Sequence, residues 1–246
     1  MTVPLESEIM EYDIRGGAFA DVEISLDTNE QIVAEPGAMI SYSPGIEMTT
    51  DTGGGSMLDS AKRAAMGGES LFMNTFTAQQ PGTVTLSPPA PGNVKARYLN
   101  NETMYAESGA YLASEPNVNV DTSFQGASKF FKSGDVFLLE LSGVGTVFFD
   151  SYGTLKEIEL DQGEQFNVDT DHIVAFDSTV NYTTRRIGGL KSKAFGGEGK
   201  VAEFTGPGTV WLQNRDFESL AEAIAEELPG GGGGGDDDDI GVSDFL

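Results

Sequence analysis

The chain has 246 residues, with 39 acidic and 14 basic side chains and no cysteine. This length allows one large all-β domain or two small ones, and the lack of cysteine excludes disulfides and thiolate metal sites. The net charge of −25 disfavours nucleic acid as a partner, because binding phosphates requires a basic surface. The acidity is spread along the whole chain, which favours a halophilic, high-salt setting over a dedicated cationic partner.

The N-terminal segment, residues 1–11, is acidic and lacks a basic start followed by an apolar run. No stretch of the chain approaches the roughly 18 apolar residues of a membrane-spanning helix. We therefore expect neither secretion nor a membrane span, and the sequence predicts a cytoplasmic protein.

An internal repeat dominates the sequence. The tripeptide Gly-Thr-Val occurs three times, 63 residues apart, beginning at Gly82, Gly145 and Gly208. A second matched block precedes each copy and begins at Glu30, Glu102 and Glu164. A fixed period predicts repeated supersecondary units that share one core. We assign these units to one domain, residues 1–214, with boundaries near residues 20–92, 93–155 and 156–214.

Short apolar or alternating runs separate many of the 32 glycines, which is typical of a barrel or sandwich built from short strands. The predicted fold is therefore an all-β, pseudo-threefold repeat barrel or sandwich, in which Gly-Thr-Val supplies the turn and the strand start of each unit. The first unit carries an insertion at residues 53–69. Its apolar residues follow helical spacing and predict a short loop helix, and residues 123–135 and 186–198 have room for one helical turn each.

The chain changes character after the third unit. Residues 215–229 repeat apolar side chains at spacings of three and four and predict an amphipathic helix that ends at Pro229. Six glycines and four aspartates follow, so residues 230–246 are predicted to be a disordered acidic tail. The tail ends in an apolar hook that we expect to dock on a protein partner, formed by Ile240, Val242, Phe245 and Leu246.

Signals for catalysis are weak. A single histidine, His172, lies in an apolar run and is predicted to be a strand residue, which leaves too few imidazoles for a histidine metal site. Glu35, Glu107 and Asp169 occupy the same place in every unit. This favours a repeated structural role, such as accepting backbone N–H bonds at a turn, over catalysis. We predict no catalytic residues, no metal and no cofactor.

One cluster of charge points to binding. Nine of the 14 basic residues fall in three corresponding segments, residues 53–69, 122–135 and 183–200, which contain only four acids. If the units surround a common axis, these segments meet at one end and form a positive surface for an anionic ligand or lipid headgroups. The alternative is that each base pairs with a neighbouring carboxylate and contributes little. The candidate binding residues are Lys62, Arg63, Lys129, Lys132, Arg185, Arg186, Lys191 and Lys193, and Lys200 completes the group.

Several stretches resemble the altered-inheritance-of-mitochondria protein 24 family. They are residues 34–40, Lys62-Arg63, residues 68–72, residues 195–199 and residues 206–210. The resemblance covers roughly residues 8–214. It implies a compact domain with a fold like that of the tryptophan RNA-binding attenuator protein. It also implies no catalytic residues and a link to the organisation of inner-membrane complexes. RNA and tryptophan binding are not carried over, because this chain is acidic.

The sequence therefore predicts a non-enzymatic scaffold or binding protein with a protein partner, in peripheral contact with the inner face of a membrane. The alternative is a module that binds a small anion or a phospholipid headgroup at the basic end. Strand edges that pair between chains would make it a homo-oligomer.

Overall fold

Strands make up most of the described chain. The computed structural model describes residues 10–51, 73–121, 138–186 and 200–227. One α-helix and three short 3-10 turns accompany the strands in these stretches. The predicted all-β fold class is confirmed.

The first unit contains six described strands, which follow one further strand, β1 (Tyr12–Arg15). The six are β2 (Asp21–Leu26), β3 (Gln31–Ala34), β4 (Met39–Tyr42), β5 (Ile46–Asp51), β6 (Met73–Ala78) and β7 (Gly82–Leu86). In β2 every second residue is buried, namely Val22, Ile24 and Leu26. This alternation gives one face to the core and the other to solvent, as expected for a half-buried strand.

The second unit contains two long strands. Its strands are β8 (Val94–Glu107), β9 (Tyr111–Ser114), β10 (Val118–Asp121) and β11 (Leu138–Asp150). The register of β8 against β11 shifts between Gly143 and Val144, where Asn101 is the extra residue, with φ of 55°. Because this bulge keeps the ladder continuous, Gly145 lies inside β11. The prediction that Gly-Thr-Val begins a strand is wrong in this unit, although it holds for β7.

The third unit again has six separate strands, followed by a helix. They are β12 (Leu155–Leu160), β13 (Gln165–Asp169), β14 (Ile173–Asp177), β15 (Asn181–Arg186), β16 (Lys200–Thr205), β17 (Gly208–Gln213) and α1 (Phe217–Glu227). The amphipathic helix predicted at residues 215–229 is thus present. His172 lies in a 3-10 turn directly before β14, so the prediction of a strand residue is wrong. Its Nδ1–H donates to the carbonyl of Gln213 at 2.9 Å.

The strand pairings recur from unit to unit. One set of neighbours is β2-β7-β4 in the first unit, β8-β11-β9 in the second and β12-β17-β14 in the third. The other set is β3-β6-β5, then β8-β11-β10, then β13-β16-β15. All of these pairs are antiparallel.

The Gly-Thr-Val motif has one common hydrogen bond. The threonine N–H donates to a side chain that directly follows β4, β9 or, in the third unit, ends β14. The bonds run from Thr83 to Ser43 Oγ (3.0 Å), from Thr146 to Glu115 Oε2, and from Thr209 to Asp177 Oδ2 (2.9 Å). The motif therefore recurs because each copy satisfies the same backbone donor.

Two ladders join consecutive units. β3 pairs with β9 between the first and second units, and β8 pairs with β14 between the second and third. A pairing of β13 with β4, which closure would add, is absent from the ladders of the described residues, where both strands end their sheets. Closure into a barrel and threefold symmetry remain predictions.

Among the residues that the structure describes, the core consists of three clusters of apolar side chains. One lies mainly within the first unit and one mainly within the third, while the middle cluster combines the second and third units. In the middle cluster the rings of Phe149 and Trp211 meet edge to face at 5.4 Å. The units are thus held together by shared apolar burial as well as by ladders.

Candidate functional site

Each predicted basic segment lies at one end of a hairpin. The predicted segments, residues 53–69, 122–135 and 183–200, span the connections from β5 to β6, from β10 to β11 and from β15 to β16, and all three strand pairs are antiparallel. The segments therefore occupy corresponding positions in the chain's topology. Six candidate binding residues lie outside the described residues: Lys62, Arg63, Lys129, Lys132, Lys191 and Lys193. The convergence of the three segments stays a prediction, as does the loop helix at residues 53–69.

The third hairpin brings three cations to one end. Arg186 stands opposite Lys200, and Arg185 stands opposite Val201. The Arg185 guanidinium is exposed and donates to Asn167 Oδ1 at 3.4 Å, and it forms no ion pair within the described stretches. An exposed guanidinium with spare donors suits an anionic ligand.

Helix α1 presents an apolar stripe to solvent. Phe217, Leu220 and Ile224 are 43%, 39% and 50% exposed. Their spacing of three and four places them on one face of the helix. Asp216 caps the helix by accepting the Ser219 N–H at 2.9 Å, and the Phe217 ring meets Tyr152 edge to face at 5.6 Å. The predicted hook, residues 240–246, lies outside the described residues.

The first unit also exposes several large apolar side chains, which the sequence did not indicate. Met39, Ile40 and Tyr42 of β4 are 37%, 57% and 46% exposed, and Met48 of the adjacent chain segment β5 is 41% exposed. No sequence signal separates β4 from its buried counterparts, because all three strands are apolar. The difference arises from which neighbour each strand has in space.

Three carboxylates gather where the first and second units meet. Burial and the Glu107 carboxylate raise the pKa of Glu35 to about 7. Burial, then Glu35 and Glu107, raise the pKa of Asp150 well above its ordinary value. Asp150 Oδ2 is buried and accepts no hydrogen bond from the described part of the chain. Both shifts favour the neutral, protonated form of the acid, and a pKa of about 7 means that Glu35 takes up its proton near neutral pH.

Glu35, Glu107 and Asp169 are the acids that occupy the same place in the three units. Asp169 accepts the Asp171 N–H at 3.3 Å, which is the predicted turn role. Glu107 accepts the Ser108 hydroxyl at 3.1 Å, and Glu35 accepts no hydrogen bond from any described residue. The predicted backbone contact at a turn is therefore seen at Asp169 and is not made by Glu35 within the described residues. Within the described ranges, no group of three His, Asp or Glu side chains is arranged to hold a metal ion.

The fold gives the structural class of the protein, and the sequence gives its family. The chain is a mostly β protein with several sheets and one short helix. Residues 12–215 match the model of the family described as Mitochondrial biogenesis AIM24, and the chain belongs to this family. The resemblance found in the sequence is thereby confirmed.

Similar proteins come from bacteria and fungi. An uncharacterized protein of Streptococcus pyogenes serotype M6 is 27% identical over 87% of this chain and 89% of its own length. The altered inheritance of mitochondria protein 24 of Aspergillus flavus is 24% identical, and that of Penicillium rubens is 22% identical. Each of these matches covers 72% of this chain and 43% of the fungal protein, so the chain spans less than half of the fungal relatives.

A solved structure has the same fold. The crystal structure of a Streptococcus pyogenes protein superposes with a TM-score of 0.74 and 26% identity, covering 89% of this chain and all of that one.

Proposed function

We propose that this protein is a non-enzymatic scaffold that holds a protein partner through helix α1 and the apolar hook of its tail. The observation that carries the proposal is the exposed stripe of Phe217, Leu220 and Ile224. An amphipathic helix with such a stripe binds by laying its apolar face into a groove of another protein. The hook continues the same apolar character beyond a glycine linker, which lets two contacts act together.

The setting of this scaffold follows from the family resemblance. We propose that the partner belongs to a membrane-associated complex and that the protein acts in the cytoplasm, at the inner face of the membrane. No helix in the described stretches is long and apolar enough to cross a membrane. Contact with the complex would then run through the partner.

The test is a photo-crosslinking amino acid placed at Leu220 of the full chain, in native extract at molar KCl. One discrete crosslinked protein is expected, and it should disappear in the double variant Leu220→Glu, Ile224→Glu. The same probe at Ser219, which lies on the same helix outside the stripe, is the matched control. Equal crosslinking from both positions would overturn the proposal, and so would unchanged capture after deletion of residues 230–246 together with the double variant.

A second function is supported by the cations of the third hairpin. We propose, as the alternative, that an anionic small molecule or a phospholipid headgroup binds at the basic end, with Arg185 as a described contact. Inorganic phosphate, and separately vesicles containing anionic lipid, should raise the melting temperature of the wild type. The variant Arg185→Glu, Arg186→Glu should lose this shift. Lys156→Glu, an exposed cation on β12, is the control and should keep it.

A further inference from the structure

The two ladders between units predict how the free edge of strand β4 would pair, because β4 ends its sheet among the described residues. At the first junction Val33 faces Ser114 and Ala34 faces Ala113. At the second junction Tyr105 faces Phe176 and Ala106 faces Ala175. Corresponding residues of the repeat meet at both junctions, so the register of the two ladders is the same. Each unit therefore offers one edge to the unit before it and another to the unit after it.

Strands β4, β9 and β14 contain the same bulge, which shows that they are equivalent strands of the three units. In β4, β9 and β14 one residue lacks a counterpart in the ladder to β7, β11 and β17. These residues are Ile40, Leu112 and Val174. The same irregularity at the same place means that the three strands present the same edge.

Burial separates the first of these strands from the other two. Leu112 and Val174 are 0% exposed, whereas Ile40 is 57% exposed. Tyr42 is 46% exposed, whereas its counterparts Ser114 and Phe176 are each 1% exposed. The counterparts are buried where a strand of the preceding unit pairs with them, and β4 belongs to the first unit. At the other end β13 pairs only with β16 among the described strands.

We propose that a second copy of this chain covers β4 with its strand β13, forming between molecules the junction that occurs twice within one. The shared register predicts that Val168 of one copy faces Ser41 of the other, and that Asn167 faces Tyr42. The interface is heterologous, because two different edges meet. Each added copy leaves one β4 and one β13 exposed, so the assembly either closes into a ring or continues.

The charge of the chain sets the condition for this assembly. Two copies at a net charge of −25 each repel at low ionic strength, and molar salt shortens the screening length to about 3 Å. The backbone edge and the apolar side chains of β4 then provide the attraction, as exposed strand edges do in general. Assembly should therefore increase with KCl.

Cysteine crosslinking tests the register, because the natural chain has no cysteine. Full-length Tyr42→Cys is mixed with full-length Asn167→Cys at molar KCl and oxidised. A disulfide-linked dimer is expected only in the mixture, since facing residues of a ladder lie close enough for a disulfide. Gln165→Cys is the matched control. It is exposed on the same strand and face, two residues out of register, and should yield at least several-fold less dimer.

The alternatives give different results. Equal dimer from Gln165→Cys would overturn the proposal, because it would show unspecific collision. A double variant, Tyr42→Cys with Asn167→Cys, that links only within one chain would overturn it in favour of closure. A link from Tyr42→Cys to Val242→Cys in preference to Asn167→Cys would overturn it by assigning β4 to the tail.

The assembly itself is measured by sedimentation at molar KCl. Ile40→Lys should shift the mass to that of one chain without lowering the melting temperature, since residue 40 is exposed in the single chain. Met48→Lys adds the same charge at an exposed apolar position of β5, a strand outside the proposed ladder, and should keep the assembled mass. A monomeric wild type at every salt concentration would also overturn the proposal.

Discussion

Glu35 is a carboxylic acid whose surroundings change its proton affinity. It directly follows β3, is half-buried, and lies near Glu107. Both effects favour the neutral acid, and the pKa of about 7 exceeds the ordinary value of 4.5. Burial, together with the Glu35 and Glu107 carboxylates, likewise raises the pKa of Asp150. The first junction therefore carries fewer negative charges at acidic pH than its composition suggests.

This proton uptake predicts how stability changes with pH. Between about pH 4.5 and 7 the folded state holds the Glu35 proton while the unfolded chain releases it, so the free energy of unfolding falls as pH rises through this window. Above the window the loss is complete. Glu35→Gln should stabilise the protein by about 2 kcal/mol at pH 8 and leave it nearly unchanged at pH 4.5. Urea denaturation at both pH values measures this difference.

The control for this experiment is Glu159→Gln, at an exposed position of β12, which should keep the pH dependence of the wild type. A wild type with equal stability at pH 5.5 and 8, matched by Glu35→Gln, would contradict the prediction.

Among the elements, the strand segments that carry Gly-Thr-Val share a sequence but differ in backbone conformation. Gly208 has φ of 140°, which disfavours a side chain, and a Cβ there would lie 2.6 Å from Thr179 Oγ1 and 2.7 Å from Val180 Cγ2. Gly82 has no such φ, and the nearest atom to its Cβ would be Ser43 Cβ at 3.0 Å. The same tripeptide therefore depends on glycine to different degrees.

Alanine substitution should reveal this difference. Gly208→Ala is expected to lower the free energy of unfolding by about 2 kcal/mol, from strain and the close contacts of its Cβ. Gly82→Ala should cost less than about 1 kcal/mol, because only a small shift of Ser43 is needed. Chemical denaturation of both variants decides the matter, and equal losses would contradict it.

The sequence predicted the kind and spacing of these elements well. The 63-residue period located the strands that carry Thr83, Thr146 and Thr209, because each copy satisfies the same donor. It could not predict that β8 and β11 run through as long strands, since that depends on the bulge at Asn101. It also could not predict that Ile40 is exposed while Leu112 is buried, because burial there is decided by a strand distant in sequence.

The candidate site was predicted only in part. Arg185 and Arg186 do lie at a hairpin end, as the position of their segment in the repeat indicated. The raised pKa values of Glu35 and Asp150 were not foreseen, because they depend on which carboxylates the fold brings together. Composition alone does not reveal such proximity.

For the whole molecule, the net charge of −25 predicts a strong effect of salt on stability. Repulsion between carboxylates destabilises the compact state, and raising the ionic strength from 0.1 M to 1 M shortens the screening length from about 10 Å to about 3 Å. The melting temperature should therefore rise steeply with KCl and then level off. Calorimetry in KCl and, as the control, in sucrose at matched osmolality separates screening from exclusion effects. A flat response to KCl would contradict the prediction.

The common register of the two internal ladders also bears on how long such a chain can be. If a further repeat unit were inserted after residue 155, it could pair with the unit before it and the unit after it through the same ladders that already join the existing units. The number of repeat units can then change by whole units. Unequal recombination in the gene would lengthen the protein without requiring a new type of interface.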